Sequence, residues 1–303
     1  MTTPTDHPAR MDRAHRSLLG LSVGDAFGER FFVQPGVIVQ WLGERRVGAE
    51  APWPWTDDTA MAISIVEVLD ELGSIDPDAL AERLATRYWH ERWRGYGGGA
   101  HRLFEAIADG TPWRVAAAEL FGKQGSFGNG GAMRVAPLGA YFADDLDAVV
   151  EMARRSAIPT HAHPEGQAGA IAVAVAAAVL WQTRELAASD AVARMFDEVL
   201  ARTPAGKTHE GIREARGMIG SGDVERAVNR LGNGSGVSSQ DTVPLCMWAV
   251  ARHPRDFAEA MWTTVAGLGD RDTTCAIVGG IVAAGGALPP AEWIAAREPL
   301  PTK

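Results

Sequence analysis

Apolar residues return every three or four positions along most of this chain, and no run of strict alternation recurs. That period lets an α-helix bury one face, whereas alternation would mark a half-buried strand. It predicts helices over residues 12–28, 59–72, 101–109, 113–120, 147–157, 165–186, 190–202, 208–218, 223–231, 241–252, 256–266 and 272–284. Another runs from Pro77 to the glycine run at 95–99, and one over 133–141 is interrupted by Pro137. The one stretch read as extended is 31–41, which is β-branched and aromatic around a Pro35-Gly36 break. The glycine-rich segments 125–131 and 232–236 read as loops, and Gly279-Gly280 inside the last long helix implies very close packing against a neighbour. The expected fold is all-α: a compact orthogonal helical bundle, one domain over 1–303, with 1–11 as a flexible tail.

Composition narrows this little. The chain is 46% hydrophobic and 22% charged, ordinary for a globular protein. Its 303 residues would permit two domains, but the composition does not shift along the chain. The net charge of −9, with no Lys/Arg block, disfavours direct nucleic-acid binding. Only Cys246 and Cys275 occur, so no disulfide framework is expected and a reducing, cytoplasmic setting is. The first 16 residues are polar and mixed in charge, unlike a signal peptide. The longest apolar stretch, 168–181, falls short of the ~20 residues of a membrane span and reads as a core helix. Nothing sets the oligomeric state, and a monomer is compatible with the sequence.

The chemistry concentrates in two short strings more than two hundred residues apart: Trp55-Thr56-Asp57-Asp58-Thr59 and Gly269-Asp270-Arg271-Asp272-Thr273-Thr274. Each carries two carboxylates flanked by threonines and leads into an apolar helical run. Taken singly, each is also what a helix N-terminus looks like, with Thr or Asp capping and acidic residues in the first turn. Taken together, four carboxylates in one place would repel strongly unless cations lay between them. The donors are all oxygen, which selects a hard ion such as Mg²⁺ or Mn²⁺ over Zn²⁺. If the strings cooperate, both ends of the chain lie close together, which favours one domain.

A second feature is the loop Gly125-Ser126-Phe127-Gly128-Asn129-Gly130-Gly131. It is neither a P-loop nor a Rossmann fingerprint, yet successive glycine amides with a Ser and an Asn make a nest for a diphosphate, and Phe127 offers a face to a base. His161-Ala162-His163 lacks further soft ligands for zinc, so His161 reads as a ligand contact and His163-Pro164 as a helix start. Glu29, beside Gly28, reads either as a general acid/base or as a surface residue, and Cys275 as core.

Five ordered motifs, Gly24-Asp25-Ala26-Phe27-Gly28, Thr56-Asp57-Asp58-Thr59, Gly128-Asn129-Gly130-Gly131-Ala132-Met133-Arg134, Thr160-His161 and Gly269-Asp270-Arg271-Asp272-Thr273, make the chain resemble the ADP-ribosylglycohydrolase family over nearly its whole length. The resemblance implies an all-α fold with a central dimetal cleft, holding Mg²⁺ or Mn²⁺, that cleaves an N- or O-glycosidic bond between ADP-ribose and an acceptor. It implies metal ligation by Thr56, Asp57, Asp58, Asp270, Asp272 and Thr273, and substrate contacts from Gly125, Ser126, Phe127, Gly128, Asn129, Gly130, Met133 and His161. Asp25 would support the ligands, and Glu29, Asp57 and Asp58 would be the catalytic carboxylates. The chain departs from the family pattern at Arg271, where threonine is frequent, and at Glu29, since the family's acidic residue often lies several positions beyond the last glycine of the first motif. Two other functions share parts of this logic. A non-catalytic ADP-ribose reader on the same fold would be marked by lost metal ligands, and all six are present here. A two-metal phosphoesterase acting on a nucleotide diphosphate would yield AMP instead of intact ADP-ribose.

Overall fold

The computed structural model describes residues 6–48, 50–220 and 223–301. They form α1 (His7–Glu29), α2 (Pro35–Glu44), α3 (Asp57–Leu72), α4 (Pro77–His90), α5 (Gly98–Ala108), α6 (Trp113–Lys123), α7 (Gly130–Met133), α8 (Ala136–Tyr141) and α9 (Leu146–Ala157). Then come α10 (Pro164–Gln182), α11 (Ala188–Arg202), α12 (Lys207–Gly217), α13 (Val224–Leu231), α14 (Ser239–Arg252), α15 (Phe257–Val265), α16 (Arg271–Ala284) and α17 (Ala291–Ala296). Among the described residues there is no strand, only the isolated bridges Trp53–Arg297 and Gly128–Ser238.

The contact that organises the site is between α1 and α16. Gly20, Gly24 and Gly28 recur every four residues and so lie along one face of α1. A Cβ on Gly20 would stand 2.4 Å from the Gly279 carbonyl oxygen, one on Gly24 2.2 Å from that of Cys275, and one on Gly28 2.2 Å from that of Arg271. Rising numbers on α1 meet falling numbers on α16, so the two helices run antiparallel with their backbones in contact. The end of α1 therefore meets the start of α16, which carries Asp25 of the first motif to the second acidic string. The close packing expected from Gly279-Gly280 is this seam.

The core is one contiguous apolar cluster from Met11 to Ala287. At its centre α10, with 19 residues, is long and apolar enough to cross a membrane by those measures alone, but it is buried along most of its length. It packs against α8, α9, α11, α14 and α16, as a core helix does.

Three expectations need correction. The segment read as extended, 31–41, is largely α2: Pro35 sits in the first turn, where it starts a helix instead of breaking a strand, and Ile38 and Trp41 turn to the same side. The tail expected over 1–11 is helical from His7 onward, with Met11 buried, while residues 1–5 lie outside the described ones. The helix expected from Pro77 to the glycine run ends at His90, and that run instead supplies the cap and first turn of α5. The short helix α17 carries no clear periodicity and was not anticipated from the sequence.

Candidate active site

Asp25 is the hub of the first acidic string. It is fully buried, and its Oδ2 accepts hydrogen bonds from the Thr56 amide at 2.9 Å, the Thr59 amide at 3.1 Å and the Thr59 hydroxyl at 2.6 Å. Its Oδ1 stands 2.9 Å from Thr56 Oγ1, which also lies 2.9 Å from Asp58 Oδ2. One carboxylate on α1 thus fixes the first turn of α3, and Thr56 caps that helix by accepting from the Asp58 amide.

The second string lies across from it. Asp270 occupies the N-cap position of α16 without a side-chain capping bond, and the Thr273 hydroxyl approaches Asp58 Oδ2 at 3.4 Å. Asn129 Nδ2 donates to Asp270 Oδ2 at 2.7 Å and to Thr242 Oγ1 at 3.1 Å, so its side chain ties the glycine loop to this string. The strings that are separated in sequence are therefore neighbours in space.

Burial makes these carboxyls reluctant to ionise. It pushes Asp57 up to about 8, with Asp25 and Asp270 adding repulsion, although Asp57 still opens onto the cavity. Burial first, then neighbouring carboxylates, raises Asp58 and Asp272 well above the usual range. Asp25 rises to about 6, burial being opposed by its hydroxyl and amide donors. Glu29 lies one turn beyond Asp25 on the same face of α1, and burial, helped by Asp25, lifts it to about 7.

Do these residues suit a cation? Among the described residues no three His, Cys, Asp or Glu side chains stand as a ready-made cage. Two observations nevertheless fit a hard ion. Asp58 Oδ1 and Asp272 Oδ1 are buried with no hydrogen-bond partner, and such atoms are costly unless something positive meets them. The surrounding donors are carboxylate and hydroxyl oxygens, the set that Mg²⁺ and Mn²⁺ take.

A cavity of about 640 Å³ opens above the strings. Its wall includes Asp57, Asp270, Asp272, Thr273 and Met133, together with Ser126 to Gly130 and His161. Thr56, Asp58, Gly125 and Glu29 are not on that wall: Thr56 and Asp58 lie behind it, and Glu29 stands beside Asp25. Gly125 is needed for its backbone, with φ +75° and a would-be Cβ 2.7 Å from the His163 amide nitrogen. The glycine loop is clamped by the chain around 237–239: the Ser239 amide donates to Phe127 O at 3.0 Å, and the Ser239 hydroxyl to Gly128 O at 3.0 Å. His161 packs beneath Gly128 and Gly130, with Nδ1 2.7 Å from Thr160 Oγ1. Burial, reinforced by Arg134, pushes it down to about 3, so it is a neutral imidazole.

Gly97 to Gly99 and Val237, from loops expected to shape the leaving-group pocket, also line the cavity. So do Arg102 and Phe121, which sequence reasoning passed over. Phe121 sits at a break in α6 with φ +51°, an unusual conformation for a bulky residue, and its ring centroid lies 6.1 Å from that of Phe127. An aromatic pair at the mouth is thus built from a predicted and an unpredicted residue. Only the Phe121-Gly122 punctuation in an otherwise helical stretch signalled it.

Fold and cleft define an all-helical protein with a cavity that sets Asp57, Asp270 and Asp272 among glycine and apolar residues. Comparison with known proteins gives this class a name: the profile of the ADP-ribosylglycohydrolase family matches residues 6–300, and the chain belongs to that family. It is 34% identical over 296 residues to an uncharacterised protein of Archaeoglobus fulgidus, covering 93% of this chain and 90% of that one. It is 31% identical over 271 residues to ADP-ribosylhydrolase ARH3 of Xenopus tropicalis, covering 80% and 75%. A solved structure named ADP-ribosylglycohydrolase-related protein complex superposes with a TM-score of 0.65 at 26% identity, covering 95% of this chain and 93% of its own.

Proposed function

We propose that this protein hydrolyses the glycosidic bond between ADP-ribose and an acceptor, a protein side chain or a small conjugate, in a reaction that requires two divalent cations. The observation that carries this reading is the pair of buried, unpartnered oxygens, Asp58 Oδ1 and Asp272 Oδ1, on carboxyls close enough to repel one another beside a cavity of about 640 Å³. Thr56, Asp57, Asp58, Asp270, Asp272 and Thr273 would hold Mg²⁺ or Mn²⁺ there. When bound, the cations supply Lewis-acid polarisation and a fixed place for the ribose hydroxyls and a water.

The chain itself does the positioning. Within the 125–130 loop the Gly125, Gly128 and Asn129 amides are spent on Leu120 O, Ser126 Oγ and Val237 O. The amides offered to the diphosphate are therefore those of Ser126, Phe127 and Gly130, while Phe121 and Phe127 present faces to the adenine. A neutral His161 supports the loop without adding charge. For proton transfer we assign Glu29, whose carboxyl near 7 can hold or release a proton at neutral pH, a role worth roughly 10²–10⁴-fold in such reactions. It acts from beside Asp25, off the cavity wall, and so through an intervening water. The buried free thiols Cys246 and Cys275 suit the reducing, cytoplasmic setting that this reading assumes.

The test is a panel of ADP-ribosylated proteins and conjugates incubated with Mg²⁺, Mn²⁺ or chelator, with products separated by chromatography. Intact ADP-ribose released only with a cation is the expected result. AMP as the product would replace the proposal with a phosphoesterase, and tight ADP-ribose binding with no turnover of any conjugate would make the protein a reader.

A further inference from the structure

The first acidic string is gripped from a direction that neither its own motif nor α1 explains. The Trp53 amide donates to Ala296 O at 2.6 Å, and the Glu298 amide donates back to Trp53 O at 2.8 Å. Arg94, buried, forms a two-pronged pair with Glu298 at 2.7 and 2.8 Å and donates from Nη1 to Trp55 O at 3.0 Å. Its own carbonyl accepts from the Asp57 amide at 2.8 Å. Its guanidinium lies 3.3 Å from the Trp55 ring centroid and 3.9 Å from that of Trp93, so the fork is held between two indoles. Positions 53, 55 and 57 are thus anchored outward by their backbones, while Thr56 is anchored inward to Asp25. The same C-terminal segment stacks Trp293 on Phe27, two residues from Asp25, with centroids 4.5 Å apart.

From this we infer that the C-terminal segment 293–298 is a positioning element of the acidic cleft, and that through Arg94 its docking and cation binding are energetically coupled. This rests on the cation-binding reading above. A site whose ligands come from a turn is only as well formed as that turn, and support around ligands commonly changes metal affinity ten-fold or more. Arg94 and Glu298 touch no substrate in this scheme. They set where the Asp57 and Asp58 carboxylates stand. Linkage makes the coupling reciprocal: what the segment does for the cation, the cation does for the segment.

The experiment measures Mn²⁺ binding by electron paramagnetic resonance on the full chain without substrate, with circular dichroism to verify folding. Glu298→Gln and Arg94→Lys should each weaken binding about ten-fold while the protein stays helical. Asp144→Asn, which breaks the remote two-pronged pair between Arg13 and Asp144, should leave it unchanged. In the unaltered protein, Mn²⁺ should slow hydrogen exchange at the Trp53 and Glu298 amides. Unaltered affinity in both site variants, equal weakening in Asp144→Asn, or exchange indifferent to Mn²⁺ overturns the coupling. If Asp272→Ala binds Mn²⁺ as well as the parent does, the cation reading itself fails, and the inference with it.

Discussion

The two acidic strings reach the same cleft by different means. Thr56-Asp57-Asp58-Thr59 is held by directional bonds: Asp25 gathers its amides and hydroxyls from within, and Arg94 grips its backbone from outside. Asp270-Arg271-Asp272-Thr273 is held chiefly by contact, because the glycine face of α1 lets the backbone of α16 approach to within a missing methyl group. Single bonds add to it: Asn129 at Asp270 Oδ2, the Asn233 carbonyl at the Asp270 amide, and Arg271 Nη1 donating to Phe31 O. Hydrogen bonds depend on individual donors and acceptors, whereas a packed seam depends on volume. The first string should therefore respond to changes of polarity and the second to changes of size.

The largest expected effect tests whether the strings are halves of one site at all. Asp57→Ala and Asp272→Ala each remove one carboxylate from the cavity wall. If both serve the same cations, each should reduce single-turnover release of ADP-ribose by roughly 10³-fold, the equivalent of several kcal/mol of lost stabilisation. Near-normal turnover in either variant would separate the strings functionally and end the comparison.

Next in size are the changes that distinguish bonding from packing. Gly28→Ala places a methyl group 2.2 Å from the Arg271 carbonyl oxygen, and helix backbones cannot yield as a flexible side chain can. Overpacking of this kind costs about 1–3 kcal/mol, measurable by urea denaturation, and should displace Asp270 and Asp272 along with α16. At Asp25, size should matter little and polarity much. Asp25→Asn keeps one oxygen for the Thr56 and Thr59 donors and turns an N–H toward Thr56 Oγ1. It should fold with stability close to that of the parent yet bind Mn²⁺ more weakly, because the Thr56 hydroxyl oxygen is then engaged. Asp25→Ala strands those donors in the interior and should cost about 3 kcal/mol. A destabilised Asp25→Asn, or a Gly28→Ala of unchanged stability, would contradict the distinction.

What could be read from the sequence follows the same division. Both strings were legible because each is contiguous and its carboxylates and hydroxyls are chemically unusual in combination. Gly279 even pointed to the seam, though its partners Gly20 and Gly24 lie some 250 residues away and only the backbone path pairs them. Arg94 and Glu298 were not legible. An arginine between two tryptophans has no motif, and its partners at 55, 57 and 298 come together only through the tertiary fold. Phe121 was hidden for a local reason: a left-handed residue at the end of a helical pattern leaves the period nearly intact. The segment at 31–41 misled because β-branched and aromatic residues outweighed Pro35 as a helix starter. Asn129 read as part of an anion nest, whereas its side-chain amide is committed to Asp270 and Thr242.

The effect read in the smallest steps, about 1.4 kcal/mol per group and pH unit, concerns charge and involves both strings at once. Without cations, Asp25 is raised to about 6, Glu29 to about 7 and Asp57 to about 8, while Asp58 and Asp272 stand well above the ordinary range. In the unfolded chain the same groups titrate near 4. The folded state therefore holds more protons than the unfolded one between these limits, and stability falls as pH rises. The contribution is complete below about pH 4 and is progressively lost as pH climbs through 6 to 8 and above. Each extra proton held by the fold corresponds to about 1.4 kcal/mol per pH unit, or roughly 2 °C in Tm for a chain of this size. Calorimetric scans of chelator-treated protein from pH 5 to 8.5 should show that decline. Cations bind the deprotonated carboxylates, so Mn²⁺ binding tightens as pH rises and should flatten or reverse the slope. Asp272→Ala should remove the Mn²⁺ effect while leaving a decline from Asp25, Glu29 and Asp57 in the first half of the site. A pH-independent Tm in chelator would mean that these carboxyls are already ionised and compensated within the fold, and that the two strings need no cation to stand together.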